Sequence, residues 1–590
     1  ENCQSSAKVL SQVTAGGIIG KDRTISDLVV KACTFTGTVD SYKNSGIIVG
    51  KTGPNHSLTY KDCESDAVIS SDKMKLFNNI DTISNCNLFV EIEPCGKLFH
   101  TRDLTVSESE ITIEIHNMHR FRFSHSEYLF ELRASSIHII ANVFEYDTDK
   151  NILDTIAFDK ENITLTDGSE INTTKEVISR DVSYISSEDE LYNCDKYTEI
   201  ILEDDIVVTQ TDTICNIFYG TLTGNGHTIR NLTFPLFNRL SCTASVSDFT
   251  ISASQLSTMW RSRVGCITRL NRGCIEDVTV KDSTIDTNNQ RVGAITGVTY
   301  GKIIDITIKN VLVSGDQYIG GVAGEIYGYK NISVKNTSIS GGEKVGGVYG
   351  YGKTIGNTQK QAKVNDCIIS GIRDVGGLGG WSQQDSVSHS VLNSVITGED
   401  SVGGVIGSNA GNLTNTHITN SDVSGLENVG GLCGQSFSRK VDSKTQLKRC
   451  QVKDVDTVGE TVVGGFIGLA EDCTFIKCSS TGSTTGEENV AGFIASSSEV
   501  TVKYSYTTTE VTGQKNATAF LHNMQLSTIQ SCFTTSTVTA DNCSVLKGME
   551  NADVERFYWS KKTIPNIETS ETPGEGINET DIELFKTLLL

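Results

Sequence analysis

Proline is nearly absent from this chain, with 5 residues in 590, and aromatic residues reach only 7%. Glycine, at 54, takes up the difference, and such a composition suits many tight corners and narrow coils. No run approaches the roughly 20 apolar residues that crossing a bilayer takes, so no segment is expected to span one. Positive charge is in the minority: 50 Lys and Arg stand against 72 Asp and Glu, a net charge of −22. That balance argues against a nucleic-acid partner, whose phosphates need a basic surface, and against docking on anionic lipid. Solubility is the plain reason for it. The signatures of hydrolytic sites are missing as well. His116 and His119 stand without the Glu of an H-E-x-x-H motif, and Gly407-Ser408-Asn409-Ala410-Gly411 has Asn where a nucleophile should be. No C-x-x-C or Cys/His pair at ligand spacing marks a zinc site, and no metal or other cofactor is expected. No signal peptide stands at Glu1. A coil is already under way there, which is expected of a mature or trimmed form.

What is present is a repeat. Its plainest copy is Val402-Gly403-Gly404-Val405-Ile406-Gly407, with close copies starting at Val292, Ile319, Val345, Val375, Val429, Val463 and Val490. Decayed copies start at Val264 and Ala517, and the steps between successive starts are 28, 27, 26, 30, 27, 27, 34, 27 and 27. A period in this range means one supersecondary unit stacked on itself, each copy burying its apolar face against its neighbours. After each phrase comes a polar turn and then a β-rich run such as Ile303-Ile304-Asp305-Ile306-Thr307-Ile308. A Ser/Gly/Asp/Glu/Asn-rich corner such as Ser424-Gly425-Leu426-Glu427-Asn428 leads into the next copy. No copy shows helical spacing of apolar residues. The paired glycines are expected to supply positive-φ corners and close backbone approach. The fold class is therefore all-β: a right-handed parallel β-helix (solenoid), in two consecutive β-helical units. At about 4.8 Å per coil, the ten copies make a stalk of roughly 50 Å.

The phrase and its flanks resemble the GLUG-motif repeats of bacterial and protist surface proteins. Before the array, Tyr197-Thr198-Glu199-Ile200-Ile201-Leu202 through Asp205-Ile206, then Phe218-Tyr219-Gly220-Thr221-Leu222-Thr223-Gly224-Asn225-Gly226-His227-Thr228-Ile229, is similar to the opening of such domains. After it, Phe557-Tyr558-Trp559, Gly574-Glu575-Gly576 and Glu583-Leu584-Phe585-Lys586 resemble their closing stretch. The resemblance covers roughly residues 185 to 590. It implies a right-handed β-helix on an adhesin-like or stalk-like surface protein, and it implies no activity.

The first hundred residues carry the same phrase at Ala15-Gly16-Gly17-Ile18-Ile19-Gly20 and Ser45-Gly46-Ile47-Ile48-Val49-Gly50, 30 apart. From there it changes to Leu-Phe pairs, Leu76-Phe77, Leu98-Phe99 and Leu129-Phe130, which are expected to be coils without the double glycine. The expected layout is an N-terminal β-helix over 1–150, an irregular junction over 151–182, the repeat β-helix over 183–560 and a C-terminal tail over 561–590.

Seventeen cysteines fall largely at one place in the repeat. Cys3, Cys33 and Cys63 are 30 apart, and Cys450 and Cys478 are 28 apart; all five are disulfide candidates, because stacked coils bring neighbouring copies within bridging range. A ladder of buried, unoxidised thiols is the equal alternative. Ten N-x-S/T sequons, at Asn55, Asn162, Asn172, Asn231, Asn331, Asn336, Asn412, Asn516, Asn542 and Asn578, are candidate glycosylation sites of a secreted protein. Asp147-Thr148-Asp149-Lys150-Asn151 resembles half a calcium loop but has Ile152 in place of the glycine and Phe158 in place of the glutamate. Polysaccharide-acting β-helices cluster Asp with Lys or Arg on one strand face. Here Asp366, Asp374 and Asp454 are scattered over coils and expected at solvated corners, and His227 is expected to be structural. These features point to a non-enzymatic extracellular or cell-surface rod that binds a surface glycan or protein through its faces or ends or self-associates, a filament subunit being one form of the latter. The alternative is a polysaccharide-acting lyase or glycoside hydrolase.

Overall fold

The computed structural model describes residues 182–560 apart from 195, 197, 219, 242–243, 258–262, 354–360 and 440–443. Before residue 182 and at Glu575–Ile577 it describes the strand backbone. Successive copies of the glycine phrase lie directly on one another. Val264 pairs in parallel with Val292, and the column runs on through Ile319, Val345, Val375, Val402, Val429, Val463, Val490 and Ala517 to Cys543. Every member from Val264 to Ala517 has no exposed surface. The chain is thus a parallel β-solenoid of about 12 coils. One parallel sheet of 22 strands carries the glycine phrases, and one of 28 strands carries the β-rich runs such as Lys302–Ser314, His417–Ser424 and Gln451–Val458.

The core lies between these sheets, and the fourth residue of each phrase fills it. Val322, Val348, Leu378, Val405, Leu432, Phe466, Phe493 and Phe520 succeed one another along it, all fully buried. Where phenylalanine occupies this place the rings stack: Phe466 on Phe493 at 4.6 Å and Phe493 on Phe520 at 5.1 Å between centroids.

The glycines act by close approach and not by positive φ. A Cβ on Gly403 would stand 2.0 Å from the Ile406 carbonyl oxygen, one on Gly404 2.2 Å from the Gly431 oxygen, and one on Gly407 2.5 Å from the Asp374 carbonyl carbon. Among the described glycines only Gly226, Gly482 and Gly548 have positive φ. The left-handed corners belong instead to asparagine, aspartate and other polar residues, for instance Asp305, Asn331, Asn336, Asn393, Asn415 and Asn420. Short polar side chains tolerate that conformation by bonding locally, which leaves the glycines free for contacts where backbone meets backbone.

The chain divides into two units, one of Glu1–Asp181 with Ser241–Thr243 and the other of Val182–Leu240 with Ala244–Leu590. In the first, Leu28–Lys31 pairs in parallel with Leu58–Lys61, and Thr34–Ser41 with Glu64–Ser71, at an offset of 30. Farther on the pairing departs from the expected coils. Asn87–Ile92 pairs antiparallel with Ser126–Arg133, which in turn pairs antiparallel with Ser136–Tyr146. Only two residues separate those last strands, too few for a coil and enough for a hairpin.

Candidate binding faces

The outer side of the 22-stranded sheet is built from two columns. The residue just before each glycine phrase is left-handed in eight successive copies: Arg291, Tyr318, Lys344, Asp374, Ser401, Asn428, Val462 and Asn489. Seven residues later a second column runs in parallel register through Glu325, Tyr351, Trp381, Ser408 and Gln435. Arg291, Tyr318 and Asp374 each reach the second-column residue of the next coil, Glu325, Tyr351 and Ser408, so side chains far apart in sequence meet.

The result is a charged and aromatic cluster. Arg291 Nε lies 2.9 Å from Glu325 Oε1. Tyr318 packs edge-on to Tyr351, centroids 6.1 Å apart, while Arg291 and Lys344 stand 5.0 and 5.2 Å from the Tyr318 ring centre. Trp381 stacks on Tyr351 at 4.9 Å, and the Arg439 guanidinium lies 4.5 Å from its ring centre. Lys344 Nζ is 3.7 Å from Asp374 Oδ2, and Ser408 Oγ donates to Asp374 Oδ1. Burial raises the Asp374 carboxyl above the ordinary aspartate range, against the pull of the Ser408 hydrogen bond and the Lys344 charge. Glu325 is 4% exposed, and its Oε2 has no hydrogen-bond partner. Asp374, expected at a solvated corner, is 7% exposed and held from two sides. Asp366 and Asp454 are exposed left-handed corners, as expected.

A shallow groove of about 300 Å³ opens on the other sheet. Ser390, His417 and Gln451 line it from three successive strands, with the left-handed Ser388, Asn415 and Arg449 beside them. No carboxylate lines it, and burial lowers the His417 pKa.

No family model and no curated protein matches the chain. Solved structures resemble it only distantly. One is a candidate immunoglobulin A1 protease of Bacteroides ovatus, 12% identical over 68% of this chain and 85% of that one, TM-score 0.19. Another is the A-module of a mannuronan C-5 epimerase of Azotobacter vinelandii, 9% identical over 61% and 91%, TM-score 0.18. A third is a surface adhesin of Streptococcus pneumoniae, 8% identical over 61% and 84%, TM-score 0.17. Likeness at this level carries no argument about what this chain does, and the fold rests on its own strand register.

Of the sequence-predicted sites, Asn231, Asn331, Asn336, Asn412 and Asn542 are exposed and Asn516 is half-buried. Asn231, Asn331 and Asn336 are left-handed corners. Asn331 Nδ2 donates to Asp305 at 2.6 Å, and Asn412 Oδ1 accepts from the Gln446 amide at 2.7 Å. Asn55, Cys3, Cys33, Cys63, Asn578 and the Asp147–Asn151 stretch lie outside the described residues, as do the side chains of Asn162 and Asn172. Cys450 and Cys478 occupy one column on neighbouring coils, as their spacing requires, and are buried free thiols. Of the two alternatives for this pair, the bridge and the thiol ladder, they stand here as the ladder. Burial raises the Cys450 thiol well above its ordinary pKa, which removes the thiolate that oxidation needs. Among the described residues no group of His, Cys, Asp and Glu could hold a metal, and no helix is long and apolar enough to cross a membrane. His227 Nδ1 lies 3.7 Å from Asp205 Oδ1 on the preceding coil. The charged and aromatic cluster escaped the sequence reading, although aligning the copies on the glycine phrase would have shown one variable position before it and another seven residues later.

Proposed function

We propose that this protein is a non-enzymatic extracellular rod that adheres, spaces or assembles at a cell surface through its faces. The observation that supports this reading is the unbroken column from Val264 to Ala517. A solenoid in which each coil rests on its neighbour resists bending, and it turns every outward position into a straight row of side chains. Rows of that kind suit extended, repetitive ligands better than compact ones. The test is a glycan array and a cell-binding assay with the purified chain, together with electron microscopy. Binding without turnover, by isolated or end-joined rods, is the expected result; absence of binding to any surface ligand overturns it.

A second reading has one observation in its favour. Asp374 and Glu325, with Lys344 and Arg291 on the same strand face, form the acid–base grouping expected of a polysaccharide-acting β-helix. Incubation with pectin, alginate and glycosaminoglycans decides between the two. Chain cleavage that is lost in Asp374→Asn or Glu325→Gln establishes the enzyme, and intact polymer removes the support for this second reading.

A further inference from the structure

On the 28-stranded sheet the chain places like charges on top of one another. Lys281 pairs in register with Lys309, and Lys309 with Lys335. All three are exposed. Neighbouring coils are about 4.8 Å apart, and like charges directly opposite each other on adjacent strands destabilise a sheet. A chain of net charge −22 has carboxylates in plenty to neutralise such a ladder. Yet among the described residues none of the three lysines is in an ion pair. Two of the nearby acids are turned elsewhere: Asp282 Oδ1 accepts from Asn310 at 2.9 Å and Asp305 Oδ1 from Asn331 at 2.6 Å, each along its own corner column.

The row continues. On the next coil Lys363 stands one outward column over, in register with Ser390 and His417 of the groove. Farther along, Arg449, which lines the groove, and Lys477 on the neighbouring coil are exposed left-handed residues. The basic residues therefore form an oblique strip across the sheet. Beside the lysines the adjoining outward column is Thr279, Thr307 and Ser333, so hydroxyls run alongside the charges.

We infer that the strip from Lys281, Lys309 and Lys335 through Lys363 to Arg449 and Lys477, with the His417 groove on its path, binds a linear acidic polysaccharide laid along the rod. Charge complementarity selects a polyanion, and the regular spacing selects an extended one. The adjoining hydroxyls suit sugar hydroxyls, whereas single-stranded nucleic acid relies on aromatic side chains that stack its bases, and the lysine ladder has none beside it. The acidic remainder of the rod also disfavours the denser charge of a nucleic acid. This inference deepens the adhesive reading and rests on it for the biological setting only.

The test uses the full chain with polygalacturonate and heparin as carboxylated and sulfated probes, dextran as the neutral polymer and oligo-dT as the nucleic acid, at low salt (about 50 mM). Affinity for at least one acidic glycan, weakening as salt rises, is expected. The triple variant Lys281→Gln/Lys309→Gln/Lys335→Gln should bind about tenfold more weakly, with a melting temperature no lower than the parent's, because the three exposed side chains lose only their mutual repulsion. The corresponding triple Lys→Arg variant should retain binding, and Lys353→Gln, on the other sheet, should have no effect. Equal binding by the triple Gln variant, no acidic-glycan binding by the parent, or tighter binding of oligo-dT overturns the inference. Sizing the glycan afterwards separates the two claims: a bound but cleaved polymer keeps the strip and removes the non-enzymatic rod. Adhesion to cells without polyanion binding does the reverse.

Discussion

Single residues decide how closely the coils approach. A methyl on Gly404 would meet the Gly431 carbonyl oxygen of the next coil at 2.2 Å, and that backbone cannot move without opening the stack. Gly404→Ala should therefore cost about 3 kcal/mol. Gly226→Ala meets nothing within 4 Å and carries only the strain of φ +78°, about 1 kcal/mol. Urea unfolding of the two variants checks the ranking, and equal losses would contradict it. His522 makes a prediction about pH. Burial, with the Lys547 charge beside it, lowers its pKa from 6.5 to about 4 in the folded chain. The unfolded chain then takes up the proton first as pH falls. Stability is full above about pH 6.5 and declines toward pH 4, by on the order of 2 kcal/mol from this residue. Melting curves of the parent and His522→Gln at pH 7 and 4.5 should show the variant losing less on acidification. The thiols add a third expectation. Burial pushes Cys473 and Cys532 up to about 12, so they should resist alkylation until the chain unfolds, while the exposed Cys543 reacts in the native state. Peptide mapping after alkylation without reduction reads this directly and reports on Cys450 and Cys478 in the same run.

Elements in this fold are coils, and their stability is shared with immediate neighbours. The Phe466, Phe493 and Phe520 stack shows it well. Truncating the middle ring in Phe493→Ala leaves a void between two others and should cost about 3–5 kcal/mol. Hydrogen exchange should quicken over Val463–Leu521 and stay unchanged near Val292–Ile326, and a uniform change along the rod would refute nearest-neighbour coupling. The same stretch holds an exception that periodicity does not foresee. The run Ser479–Gly486 has no large apolar residue, and its inward Ser480 donates to the Gly492 carbonyl at 2.8 Å, as Thr507 does at 3.0 Å. Hydroxyls satisfied by a backbone carbonyl can fill a core beside large rings. The spacing of the phrase says where such a position lies; only its partners say that a polar residue belongs there.

At the scale of the whole molecule, register is the property to test. Removing residues 402–428 joins Ser401 to Val429 and deletes one coil without shifting any column, because Val375 and Val402 occupy the same place that Val429 does. The shortened chain should fold, with a rod about 4.8 Å shorter by small-angle scattering. A deletion of half that length puts apolar residues of one coil against corners of the next and should leave no cooperative melt. Failure of the whole-coil deletion to fold would show that the coils are not equivalent neighbours.

The period, the identity of the buried valines and the all-β class were legible in the amino-acid sequence, because a solenoid writes each contact as a fixed spacing. The short hairpin of the first unit was not, since Leu129-Phe130 carries the same alternation whichever way its strand runs. The faces were decided by tertiary structure alone. Whether Asp374 is solvated or buried, and whether Lys281, Lys309 and Lys335 meet carboxylates or each other, depends on which residue of the next coil stands alongside. That neighbour is 26 to 34 residues away, and loop insertions of a few residues change it. Local preference names the corner; stacking chooses its company.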